Sequence, residues 1–125
     1  IWKNTTHHPL YSLSMTDKST HYIEVKSSSY DTISQFIFRG TALDNISNIK
    51  CVTEISKSGT TCQIRIFDYT NSNTIAEVAF TDRYSTITDF GNISNLPTGE
   101  AIFEIQMRVS SGSGKARCSY VVIYE

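Results

Sequence analysis

The sequence predicts an all-β fold, an antiparallel eight-stranded β-sandwich of jelly-roll type. Three observations carry this. Short segments of period-two alternation recur along most of the chain. Turn residues separate them at spacings of roughly 8 to 15 residues, the rhythm of sandwiches and barrels. The most apolar segment is the closing one, Lys115 to Glu125, preceded by the long Glu100 to Val109 and a Ser111-Gly112-Ser113-Gly114 turn. A strand so apolar has to sit inside a sheet, which makes this end of the sequence part of the core.

Residues 1 to 17 show no clear period and contain Trp2, His7, His8 and Pro9. They read as an extended N-terminal arm, with room for one short strand at Leu10 to Leu13, ahead of a β-sandwich domain over 18–125. His21 to Lys26 alternates and ends at Ser27-Ser28-Ser29. Ile33 to Arg39 contains the continuous apolar run Phe36-Ile37-Phe38, expected of a strand buried on both faces. A loop from Gly40 to Ile46 leaves space for a helical turn near Asp44. Asn48 to Ser56 puts Ile49, Cys51, Thr53 and Ile55 on one side. After Ser58-Gly59, Cys62, Ile64, Ile66 and Asp68 do the same, and the two segments read as a hairpin. Thr74 to Phe80 and Ser85 to Phe90 are further strands, and Gly91 to Gly99 is a loop. The last two strands are expected to face each other across their glycine turn. In the last one, Tyr120 and Tyr124 are expected on the face of Ala116, Cys118 and Val122, as core or interface residues.

At 125 residues the chain is one domain, large enough to hide roughly two-thirds of its unfolded surface. Only 18% of residues are charged, and 32 Ser and Thr fill the gap. Thr favours strands and Ser favours turns, so the surface is polar without being strongly charged. The net charge is −1, with 11 basic residues scattered among 12 acidic ones. No cationic stripe exists for a phosphate backbone, so nucleic acid is not expected as a partner. Apolar runs fall far short of the roughly 20 residues of a membrane helix, and no membrane span is expected. With no initiating Met, the chain is expected to be a processed piece of a longer polypeptide. Cys51, Cys62 and Cys118 cannot all pair within one chain and are expected as buried free thiols.

No catalytic signature appears. The histidines lack a spaced nucleophile, and neither a G-x-S-x-G elbow nor an H-E-x-x-H helix occurs. No catalytic residue, metal site or cofactor is assigned, and the chain is expected not to be an enzyme. Glu104, Glu77 and Glu54 are the carboxylates available for glycoside chemistry. Glu104 shares a face with Ile102, Gln106 and Arg108, the wetter side of its strand. Asp68 to Asn73 offers oxygen donors for Ca²⁺, which turn chemistry alone explains. Tyrosines at strand ends and turns are the candidate ligand-binding residues. Tyr30, Tyr69 and Tyr84 could stack on sugar rings while neighbouring amides and carboxylates meet the hydroxyls.

The segments Ile64 to Thr70, Thr74 to Val78 and Ile93 to Glu100 resemble small jelly-roll domains. Such domains occur in structural and fibre-like proteins of viruses and phages and in related sugar-binding modules. The resemblance covers about the last two-thirds of the chain. It lies in strand rhythm and in Leu96-Pro97-Thr98-Gly99 leading into a long strand. It implies a non-enzymatic structural or surface domain acting in particle assembly or host attachment. A homo-oligomer, most simply a trimer, would then sit on a virion or extracellular surface and engage a glycan or host receptor. The arm would link it to a shaft or neighbouring subunit. The alternative is a carbohydrate-binding module of a larger secreted protein.

Overall fold

The computed structural model describes residues 9–14 and 21–125. Nine strands form among them: β1 (Pro9–Ser14), β2 (Ile23–Val25), β3 (Asp31–Phe38), β4 (Asn48–Ile55), β5 (Thr61–Asp68), β6 (Asn73–Phe80), β7 (Thr86–Asp89), β8 (Ala101–Ser111) and β9 (Ala116–Tyr124). No helix occurs among the described residues. Two antiparallel sheets pack face to face. Sheet A runs β1-β9-β4-β7, with β2 also paired to β9, and sheet B runs β3-β8-β5-β6. The fold is the expected jelly-roll-type sandwich, with all eight expected strands present. The count rises to nine because Pro9–Ser14, placed in the arm from sequence, pairs with β9 from Tyr124 to Tyr120. The expected boundary at residues 17 and 18 lies outside the described residues, as do Trp2, His7 and His8.

The core is the set of inward positions that alternation marked. Ile49 and Ile55 of β4, Ile64 and Ile66 of β5, Ile105 and Met107 of β8, and Val121 and Ile123 of β9 are all fully buried. Phe38 stacks on Phe103 with centroids 4.6 Å apart, and Phe36 meets Phe103 edge-on at 5.7 Å. Tyr11 of β1 packs on Phe36 and donates its hydroxyl to the buried Asp44, closing that side of the sandwich. Burial raises the Asp44 carboxyl, but hydrogen bonds from Arg39 and Tyr11 outweigh it and hold the group below the usual carboxylate range.

Four expectations are corrected. First, β4 and β5 are not a hairpin: β4 lies in sheet A between β9 and β7, and β5 lies in sheet B between β8 and β6. Second, β8 and β9 likewise belong to opposite sheets. Alternation reports which side chains face inward, and both sheets present inward faces to the same core, so it leaves the partner strand open. Both glycine turns instead carry the chain from one sheet to the other, and they pack together. The backbone N–H of Gly114 donates to Thr60 Oγ1 at 2.9 Å, and Ser56 and Lys115 exchange two bonds at 3.0 and 2.7 Å. Cys51 and Cys62 therefore sit in different sheets, and all three thiols are free and buried, as expected.

Third, β3 is an edge strand, not one buried on both faces. Phe36 and Phe38 turn inward, while Ile37 is 59% exposed. Fourth, Tyr120 and Tyr124 do not share the face of Cys118. Val52 pairs with Tyr120 and Thr53 with Cys118, so Ser119 is an extra residue that shifts the alternation by one. Cys118, Val121 and Ile123 point inward, and Tyr120, 40% exposed, points out.

Candidate functional site

The outer face of sheet B carries a continuous layer of polar and planar side chains. Its register explains the layer. In β8, Phe103, Ile105 and Met107 fill the core, which leaves Glu104, Gln106 and Arg108 facing outward. In β5, the same parity leaves Gln63, Arg65 and Phe67 outward. Gln106 lies opposite Arg65, and Arg108 opposite Gln63.

Glu104 is the anchor of this layer and only 6% exposed. Its carboxylate accepts hydrogen bonds from Thr32 Oγ1 at 2.9 Å, Gln35 Nε2 at 2.7 Å and Gln106 Nε2 at 2.8 Å. Thr32 and Gln35 are three apart and would point to opposite faces in a regular strand. An irregularity in the β3–β8 register between Thr32 and Ser34 brings both to the outer face. Burial raises the Glu104 carboxyl, yet the three donors outweigh it and keep the group below the usual carboxylate range. It is therefore an ion at neutral pH, satisfied by neutral donors, and in the wrong state for a general acid.

Beside it stand two antiparallel rungs. Arg65 Nε donates to Gln106 Oε1 at 2.7 Å, and Arg108 Nε donates to Gln63 Oε1 at 2.7 Å. Each glutamine fixes the plane of the guanidinium across from it. Tyr30, just ahead of β3, lies against both: the Arg65 and Arg108 guanidinium carbons are 4.0 and 4.9 Å from its ring centroid. Arg65 is also 4.5 Å from the centroid of Phe67. The Tyr30 hydroxyl donates to Glu77 on β6. Burial first, and then the Glu77 carboxylate, push the Tyr30 phenol well above the usual tyrosine range, so it stays a donor. The outcome is a half-buried aromatic ring and five planar polar side chains joined by cross-strand hydrogen bonds.

Of the tyrosines marked from sequence, Tyr30 alone belongs to this layer. Tyr69 is 59% exposed in the β5–β6 turn, and Tyr84 is 79% exposed between β6 and β7, with Arg83 6.0 Å from its ring. No ring contact joins the three. The Asp68–Asn73 turn is organised by Asp68, whose two carboxylate oxygens take the backbone and side-chain N–H groups of Asn71 at 3.0 and 2.7 Å. Among the described residues, no three His, Cys, Asp or Glu side chains gather as a metal cluster. Glu54 is committed to Arg117 and Ser85 on the other sheet. The residues that sequence reasoning missed are Arg65 and Gln63. A signal was present, in polar planar side chains at alternating positions of two strands, but their pairing depends on topology.

No family model and no curated protein matches the sequence. Among solved structures, a carbohydrate-binding module, CBM36, in complex with calcium and xylotriose superposes with a TM-score of 0.62 at 15% identity, over 96% of this chain and 93% of that one. The CBM36-1 domain of a multidomain xylanase from the hindgut metagenome of Trinervitermes trinervoides superposes with a TM-score of 0.63 at 10% identity, over 94% and 88%. Both of these structures are carbohydrate-binding modules, and neither supports the resemblance to virus and phage proteins or the trimer expected with it. At these identities the likeness establishes the sandwich fold the chain shares with those modules.

Proposed function

We propose that this chain is a non-catalytic carbohydrate-binding domain that takes an oligosaccharide on the outer face of sheet B. The observation that carries the reading is Tyr30, whose ring lies against Arg65 and Arg108, each of them bonded to a glutamine across the sheet. A sugar ring presents an apolar face and a rim of hydroxyls. An aromatic ring meets the first, and amides and guanidinium groups meet the second. Because these side chains are already locked by cross-strand bonds, a ligand does not have to order them, which lowers the entropic cost of binding. The similarity of the whole fold to two carbohydrate-binding modules, one of them holding xylotriose, supports the same reading. A role as a module of a larger secreted protein, acting outside the cell, follows from it.

Calorimetric titration tests this, using xylotriose and a panel of soluble plant polysaccharides, with calcium and with a chelator. Binding is expected, and Tyr30→Ala should weaken it at least about tenfold with the fold intact by circular dichroism. Tyr69→Ala and Tyr84→Ala should stay within about twofold. Loss of binding in Tyr69→Ala or Tyr84→Ala but not in Tyr30→Ala would move the site elsewhere. No binding to any member of the panel would end the reading.

A further inference from the structure

We propose that the site takes a carboxylate-bearing sugar, a uronic acid, through Arg65 and Arg108; this rests on the glycan-binding reading above. Among the described residues, Arg65, Arg83 and Arg108 make no ion pair, and of these Arg83 lies by the exposed Tyr84 while Arg65 and Arg108 share the outer face of sheet B. Arg39 meets Asp44, and Arg117 meets both Glu24 and Glu54. Arg65 and Arg108 meet no carboxylate, although acids are near. Glu77 lies directly opposite Arg65 in the β5–β6 register but accepts the Tyr30 hydroxyl. Glu104 is shielded by the Gln106 amide, whose nitrogen faces Glu104 and whose oxygen faces Arg65. Both ends of that amide are fixed by their partners. The nearby negative charge is thus satisfied without using the arginines.

Each of the two guanidinium groups gives only Nε to the protein, and the terminal nitrogens take no acceptor among the described residues. A guanidinium has five N–H donors in a planar fork that matches a carboxylate. Two such forks beside a single ring, partly desolvated and with their planes set by glutamines, form a site for a planar anion. The ligand must also present a face to Tyr30. A pyranose carrying a carboxyl group has both features. Two cations are too few for a nucleic acid backbone.

The test compares three ligands on the full chain: xylotriose, xylotriose with a glucuronic acid branch, and the methyl ester of that branched sugar. Ester and acid differ in charge and by one methyl group. The acid is expected to bind about tenfold tighter than the ester, and the preference should shrink as salt is raised from about 0.05 to 0.5 M. Arg65→Gln and Arg108→Gln should each bring the acid-to-ester ratio toward one, and Arg65→Lys should restore part of it. Equal affinity for acid and ester in the unmodified protein overturns the proposal and leaves glycan binding standing. Failure of all three sugars also overturns it, and glycan binding falls with it if the neutral panel fails too.

Discussion

Gly112 lies over the carbonyl of Gly59. A Cβ on Gly112 would stand 2.7 Å from that oxygen and 2.8 Å from Thr60 Cα. Through this contact the two turns that cross between sheets, β4 to β5 and β8 to β9, brace each other at one end of the sandwich. Both glycines have positive φ, 84° at Gly59 and 90° at Gly112, but a Cβ at Gly59 meets nothing within 4 Å.

The pair separates backbone strain from packing. Gly59→Ala should cost about 1 kcal/mol, the penalty of a left-handed residue. Gly112→Ala carries that penalty and a clash with backbone that cannot swing aside, so it should cost roughly 3 kcal/mol or more. Urea midpoints of the two variants measure the difference. Equal destabilisation would mean that the two turns do not bear on each other in solution.

Glu104 predicts an acid limb of stability. Its folded-state carboxyl titrates below the usual range, so its stabilising contribution is present above the unfolded value, about 4.3. That contribution is lost as pH falls through the lower folded value. Glu104→Gln should be about 1–3 kcal/mol less stable at neutral pH, because the new amide cannot accept from three donors at once. Its stability should also fall less steeply between about pH 5 and pH 3 than that of the unmodified chain. Asp44, Asp89 and Glu24, also held below the usual range, keep part of the slope. Chemical denaturation across that window checks the sign, and an unchanged slope would remove Glu104 from the account.

The thiols give a third prediction. Burial pushes Cys62 up to about 11, Cys118 up to about 12, and Cys51 higher still. The thiolate is the reactive form, so none should react with an aromatic disulfide reagent in the folded protein at about pH 8. All three should react after denaturation without a reductant. Rapid labelling of the native chain, or fewer than three thiols in the unfolded one, would contradict the buried free state.

Much of the fold was legible in the sequence because burial in a sandwich is written at every second residue. Ile64 and Ile66, or Ile105 and Met107, mark the inner face unaided. What alternation cannot carry is the neighbour. The same pattern in β4 and β5 suits one hairpin or two sheets, and the structure places them in two. Nor does it register an inserted residue: Ser119 is an ordinary serine, yet it moves Tyr120 from one face to the other. The candidate site shows the same division. Tyr30 stood out as an aromatic at a strand end, and Glu104, Gln106 and Arg108 as a polar face. Arg65 is 41 residues from Gln106, and only the order of strands in sheet B brings them together.

The place of β9 has a consequence for biosynthesis. It is made after the other eight strands, yet β1, β2 and β4 all pair with it. Until it leaves the ribosome, those three have no common template, and the flank of β4 stays open to other chains. Assembly of that sheet therefore waits for its last strand and is governed by long-range closure, which is slow and exposes nascent edges to aggregation.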